Sequence, residues 1–216
     1  MDSGMTVIAI SVPIRRTQAQ RSALSDDRLL TAAAEIIAGE GYLALTLERV
    51  GDRAGFSRGL ASRKYGSKDG LIEALIRRAD AYAHDQIDLA LANVTDPVER
   101  ILALFDRLFE LVLTDVSVRA YFLLYSALIS NRLGPSGVFQ EVRQRFGARI
   151  VTLIKAAQTA GALPADLPTD TAAFLVGSLL AGISIETEMA PLESGPRGTG
   201  KLRANLAVML RHALGG

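Results

Sequence analysis

The chain has 216 residues, 49% of them hydrophobic and 22% charged, which is enough for one or two domains with a full apolar core. It holds no cysteine, so disulfides and thiolate chemistry are excluded and a reducing cytosol fits. Net charge is +1, yet residues 15–68 carry ten Lys and Arg against six Asp and Glu, leaving the remainder mildly acidic. A basic amino-terminal portion on such a body suits contact with nucleic acid, because phosphate attraction supplies much of that affinity.

In chain order, residues 1–24 read as a flexible arm. Thr6 to Ile14 is apolar, but it follows Asp2 rather than a basic cluster, which argues against a signal peptide, and it is too short to cross a bilayer. Arg15, Arg16 and Arg21 sit among Thr, Gln and Ser, as in a solvated tail or in an arm that reaches the minor groove or phosphates. The first helix is expected over Asp26–Ala38, capped by Ser25. Its stripe is Leu29, Leu30, Ala33, Ile36 and Ile37, and Gly39 and Gly41 end it. So small a head must lean on the helices carboxy-terminal to it.

From Thr46 to Lys68 the spacing predicts two short helices joined by a tight turn. Thr46 caps the first, and Leu47, Val50 and Ala54 share one face. Gly55 stands where the chain must turn into the left-handed conformation, which glycine reaches without steric cost. Phe56 can plug the angle, and Ser57 caps Arg58–Tyr65. That second helix carries Arg58, Arg63 and Lys64 with no acid, and Lys68 lies just past its end. A cap, a glycine turn and a cationic helix are the ingredients of a helix-turn-helix whose second helix enters the DNA major groove.

At these residues the chain resembles the TetR-type transcriptional regulators. The resemblance rests on Ala54-Gly55-Phe56-Ser57-Arg58-Gly59, Tyr65, Gly66-Ser67-Lys68-Asp69-Gly70-Leu71, and the preceding Leu29–Ile37 helix closing with Glu40-Gly41-Tyr42. It spans Asp27 to Leu71, about a fifth of the chain. Ser62 and Lys64 stand where such proteins usually carry an aromatic and a histidine, and Ala61 where they carry a larger aliphatic, so the scaffold transfers but an operator sequence does not. The resemblance implies a helix-turn-helix head over residues 25–71 (motif 46–65) and an effector-binding and dimerisation body over 72–216. It also implies a homodimer on a near-palindromic double-stranded operator. Arg58, Leu60, Ser62, Arg63 and Lys64 are the candidates for base or nearby backbone contact, and Thr46, Ser57, Tyr65 and Lys68 for phosphates.

A fourth helix is expected from the cap Ser67 to about Val94, either a lever between head and body, as the resemblance implies, or a plain connector. Thr95-Asp96-Pro97 restarts the chain for a fifth over Val98–Leu113. Asp115 opens a sixth that stops near Gly134-Pro135. A seventh covers Ser136–Ala160, an eighth Asp170–Met189 and a ninth Lys201–Leu214, with Pro191–Gly200 as a mobile loop. No segment beyond Thr6–Ile14 alternates with period two, so the fold class is all-α, with about nine helices.

Most aromatics fall between Phe105 and Phe146, as ordinary core or as the wall of an apolar effector cavity, the second being what the resemblance implies. Pocket candidates are Phe105, Phe109, Tyr121, Phe122, Tyr125, Ser126, Phe146 and Phe174, with Asn131 as a further polar contact. Arg143, Arg145 and Arg149 read as a solvated face, or as a partner for an anionic group. Ala172–Ile185 has no charge, which calls for cover on every side, but its fourteen residues are too few for a bilayer. Ala173, Gly177 and Ala181 form a small-residue strip, and Leu202, Leu206 and Met209 a stripe; together they are the expected dimer interface, a four-helix bundle. His84 and His212 lie outside any metal-ligand or nucleophile pattern and read as helix-surface residues, and no phosphate loop or hydrolase motif occurs. No catalytic residue, metal or cofactor is expected. The sequence therefore reads as a cytoplasmic, nucleoid-associated repressor released from DNA by a small apolar or amphipathic effector, with no membrane partner. The alternatives are a helical DNA binder without effector control and, less well supported, a small-molecule enzyme.

Overall fold

The computed structural model describes residues 17–131, 136–189 and 198–213, and every regular element among them is helical. Helix α1 spans Gln18–Glu40, beginning at Gln18 rather than Asp26. The cause is local. Thr17 Oγ1 accepts from the Gln20 amide at 3.2 Å while Gln20 Oε1 accepts from the Thr17 amide at 2.9 Å, a reciprocal capping box. Residues 18–24 are thus helix, not arm. Ser25 caps nothing: it is buried inside α1, its hydroxyl donating to the Ser22 carbonyl at 2.8 Å. Arg21 is exposed on α1, whereas Thr6–Ile14, Arg15 and Arg16 lie outside the described residues.

After one 3-10 turn at Tyr42–Ala44 come α2 (Leu47–Arg53) and α3 (Arg58–Tyr65). Thr46 Oγ1 accepts from the Arg49 amide at 3.2 Å, as a cap should. At the corner, Phe56 N bonds Gly51 O at 3.0 Å and Gly55 N bonds Asp52 O at 3.1 Å. This 6→1, 5→2 pattern is a Schellman end, and Gly55 takes φ +73° within it. Phe56 packs against the head core under the Arg28 guanidinium, 5.0 Å from the ring centre.

Helix α4 (Lys68–Leu91) begins after the Ser67 cap and ends three residues short of Val94. Then come α5 (Pro97–Thr114, capped by Asp96), α6 (Val116–Asn131), α7 (Ser136–Thr159), α8 (Thr169–Met189) and α9 (Gly198–Ala213). The expected loop Pro191–Gly200 gives its last three residues to α9, and its first seven lie outside the described residues.

Two apolar clusters hold these helices. One joins α1, α2, α3 and the start of α4 to Ala120, Leu124 and Leu128 of α6 and to Val138, Phe139 and Val142 of α7. Packing is therefore continuous across residue 71: three short helices bury too little alone and borrow a floor from the body. The second cluster gathers Ile87, Leu91, Ile101, Phe105, Phe109, Ile150, Ile154 and Leu180. At the junction, Arg78 of α4 donates to Asp27 O (2.9 Å), Thr31 Oγ1 (3.1 Å) and Ser117 Oγ (2.7 Å), pinning α4 to both α1 and α6.

Helix α8 rests on α7, α6 and α5. Within it Ala173 is buried, and Gly177 and Ala181 are half-buried against the body. The small-residue strip thus faces inward, and its outward apolar neighbours are Leu175 at 60% exposure and Leu179, while Phe174 at 61% and Ile185 border the mouth of a cavity. On α9, Val208 and Met209 are exposed, while the side chains of Leu202 and Leu206 lie outside the described residues. Arg203 fastens α9 to Asp106 at 2.5 Å and Arg211 to Glu99 at 2.6 Å, which orients α9 along α5. The charge-free stretch is only the middle of α8: Thr169–Thr187 has the length and hydropathy to cross a membrane. Its inner face is nonetheless packed on protein.

Candidate nucleic-acid interface and cavity

Helix α3 presents two faces. Ala61 is fully buried and Leu60 half-buried against the head core, so Leu60 serves packing at least in part. Gly59, Ser62 and Arg63 are exposed, and Arg63 forms no ion pair among the described residues. Ser57 holds the cap position, but its hydroxyl makes no capping bond and is exposed. Arg58 begins α3, and its side chain lies outside the described residues.

Three other candidates are occupied within the protein. Lys64 Nζ reaches back to α1, meeting Asp26 Oδ1 at 2.7 Å and Ser22 Oγ at 3.1 Å. Tyr65 Oη donates to the same Asp26 oxygen at 3.2 Å, and burial beside that carboxylate pushes its pKa up. Lys68 Nζ donates to Tyr42 O at 2.9 Å and lies 3.8 Å from that ring's centre, with burial lowering its pKa. On α2, Arg49 and Arg53 both pair with Glu40, whose pKa the Arg49 hydrogen bond lowers. The basic excess of the head is thereby concentrated on a few unpaired groups. Sequence counting credits every cation alike; only the fold separates those that tie helices together from those left facing solvent.

Beneath the head, α4, α6, α7 and α8 line a cavity of about 1660 Å³ that opens to solvent beside Phe174 and Ile129. Tyr121, Phe122, Tyr125, Phe146 and Phe174 line it, as expected. Phe105 and Phe109 do not: both are buried in the second core cluster on α5, whose inward face is needed to hold α4 and α7. Ser126 and Asn131 are also absent from the wall, and Asn131 instead donates to Ala127 O at 2.6 Å. Tyr121 stacks edge-on against Phe122 with centroids 5.1 Å apart and tilts against Phe139 at 5.3 Å. Burial raises the Tyr121 pKa. Arg143 joins the wall, donating to Tyr125 Oη at 2.8 Å, whereas Arg149 pairs with Asp88 at 2.6 Å.

Sequence reasoning missed His84. It is half-buried on the cavity wall, not a plain surface residue. Its Nδ1 lies 3.0 Å from Asp80 O and 3.2 Å from Asp80 Oδ1, and its Nε2 is buried without a hydrogen-bond partner among the described residues. Asp80, itself buried, also receives Arg145 from α7. The hydrogen bond from Asp80 raises the His84 pKa against an opposing effect of burial. A signal was present: an Asp and a His four residues apart, flanked by Ala79, Ala83 and Ile87, put two ionisable groups on an otherwise apolar face.

The family described as "Bacterial regulatory proteins, tetR family" matches residues 29–75. The HTH-type transcriptional regulator BetI 1 of Chromohalobacter salexigens is 34% identical over 103 residues, 45% of this chain and 44% of that protein. The chain spans about half the length of the curated relatives it matches. A TetR-family transcriptional regulator from Rhodococcus sp. superposes with TM-score 0.74 at 18% identity, covering 89% of this chain and 99% of its own. A transcriptional regulator from Saccharomonospora viridis, solved in complex with choline, gives TM-score 0.70 at 22% identity over 88% of this chain and 97% of its own. At such identity the structural likeness is one of fold, and it runs through head and body alike. Its helix-turn-helix segment, residues 29–75, is thus matched in sequence to the tetR family of bacterial regulatory proteins, and its described helices share the fold of the Rhodococcus regulator.

Proposed function

We propose that the protein is a homodimeric, sequence-specific DNA-binding transcriptional regulator that acts in the cytoplasm and whose operator affinity is set by a small molecule in the cavity. The exposed side of α3, with Ser62, Arg63 and the uncapped Ser57 hydroxyl at a corner set by Gly55, carries the reading. Arginine pairing to guanine is the commonest specific contact, so Arg63 and Arg58 are assigned to bases, and Thr46 and Ser57 to phosphates. Lys64, Tyr65 and Lys68 are assigned to holding α3 and α4 on the rest of the head.

The outward apolar residues of α8 and α9 that do not border the cavity, above all Leu175, Leu179, Val208 and Met209, support pairing with a second copy, since a monomer seldom leaves such a face in water. The cavity supports effector control over a simple DNA binder, and the choline held by the S. viridis protein supports a small-molecule occupant. Occupancy would act through α4, which lines the cavity below and is rooted in the head above, by favouring a conformation whose two α3 helices no longer match the half-sites.

The test is fluorescence anisotropy with DNA flanking the protein's own gene against a shuffled fragment, at moderate salt. Selective binding that Arg63→Ala weakens on the cognate fragment more than on the shuffled one supports the reading. Absence of any preference between fragments overturns it.

A further inference from the structure

The chemistry of the cavity wall narrows what it accepts. Asp80 and His84 stand one turn apart on α4, and the imidazole Nδ1 faces two acceptors, Asp80 O at 3.0 Å and Asp80 Oδ1 at 3.2 Å. Nδ1 therefore carries a proton, and the ring is fixed in orientation. The other nitrogen, Nε2, is buried and has no hydrogen-bond partner among the described residues. A buried polar atom left so is costly, and a bound molecule that supplies its partner gains accordingly.

Resting on the reading of this cavity as the effector site, we propose that the effector is an amphipathic organic acid whose carboxylate bonds to His84 Nε2 and whose apolar remainder lies along Phe122, Phe146 and Phe174.

Charge supports an acid over a base. The carboxylate of Asp80 is already engaged by Arg145 and His84, so a cationic ligand finds no free anion there. Asp170, the other acid on the wall, sits exposed in the first turn of α8. Arg143 adds a second cation to the wall beside Tyr125. The groups facing His84 are Asp80 on its own helix and Arg149 on α7; the hydrogen bond to Asp80 favours the imidazolium, in which Nε2 is a donor and its complement an acceptor. Size supports a tail. A volume of about 1660 Å³ exceeds the ~300–1,000 Å³ of ordinary ligand sites, so a compact head alone would leave most of it empty.

Three probes of equal chain length separate the possibilities by calorimetry on the full-length protein: decanoate, decan-1-ol and decyltrimethylammonium. Decanoate is expected to bind at least about tenfold more tightly than the other two. His84→Leu should remove that advantage while leaving decanol unchanged, and His84→Gln, which keeps a donor, should retain part of it. Circular dichroism and sedimentation check that each variant folds and assembles as the parent does. Equal binding of acid and alcohol, or tightest binding of the ammonium, overturns the proposal and leaves the cavity reading intact. Saturable binding of none of the three, with DNA binding preserved, overturns the effector site itself.

Discussion

Gly70 bears on both stability and DNA recognition through one atom. It lies in the first turn of α4, just after the corner where α3 ends, and its amide donates to Ser67 Oγ at 3.0 Å. A Cβ placed there would stand 2.2 Å from the carbonyl oxygen of Tyr65, the last residue of α3. Carbon and oxygen rest no closer than about 3.3 Å even in the tightest C–H···O contacts, so Gly70→Ala must open the corner by about 1 Å. The obstacle is backbone, which no rotamer change relieves. Overpacking of this kind costs about 1–3 kcal/mol, against a gain of up to about 1 kcal/mol from alanine's helix propensity. The net expectation is a loss of about 1–2 kcal/mol, or roughly 2–8 °C in melting temperature for a chain of this size. The displacement falls between α3 and α4, so cognate DNA affinity should drop at least about tenfold at temperatures where the variant is fully folded, through misaligned contacts worth about 1–3 kcal/mol each. Gly39→Ala is the control, since a Cβ there meets nothing within 4 Å and should leave both properties near the parent's. Thermal melts and anisotropy on the same preparations decide it. A G70A protein that melts within a degree of the parent and binds DNA as tightly would refute the reasoning.

Arg63→Ala should weaken cognate DNA binding by about 1–3 kcal/mol, whereas Lys64→Ala, losing a pair with Asp26, should cost about 1 kcal/mol of stability or less and leave base preference intact; a reversal of the two on parallel titrations would reassign them. Arg78→Ala cuts the bonds from α4 to α1 and α6, with an expected loss of about 2–3 kcal/mol in urea titration and a weaker effect of any cavity ligand on DNA affinity. Leu175→Glu places a charge on the outward face of α8 without touching the cavity, and is expected to give a monomer by sedimentation that no longer binds a full operator. The His84 pKa is raised on folding, so its contribution to stability is complete below the unfolded value of about 6.5 and is lost as pH rises through the folded value; His84→Leu should flatten melting temperature between pH 6 and 8, and an unchanged profile would remove His84 as its source.

Much of the fold was legible because its signals are local. Ser57, Ser67 and Asp96 mark helix starts by occupying cap positions, Gly55 marks a left-handed corner, and Leu71, Ile72, Leu75, Ile76 and Ile87 recur at helical spacing. The largest early shift, at the start of α1, arose because Thr17 and Gln20 form a capping box upstream of the acids at Asp26 and Asp27. The site was less legible. Lys64 and Arg63 are adjacent cations of like appearance, and only the approach of α1, bringing Asp26 across a gap of 38 positions, makes one a brace and leaves the other free. The strip Ala173, Gly177, Ala181 invited close packing, but a helix apolar all round does not say which side meets its own body; α5, α6 and α7 decided that.

The sequence by itself determined most of the helices and the corner of the helix-turn-helix, because capping, glycine geometry and apolar periodicity act over a few residues. Which cations stay free, which aromatics face a cavity rather than the core, and that His84 has an unmatched nitrogen were decided only when distant helices met. Those properties depend on partners far away in the chain, and no local pattern encodes them.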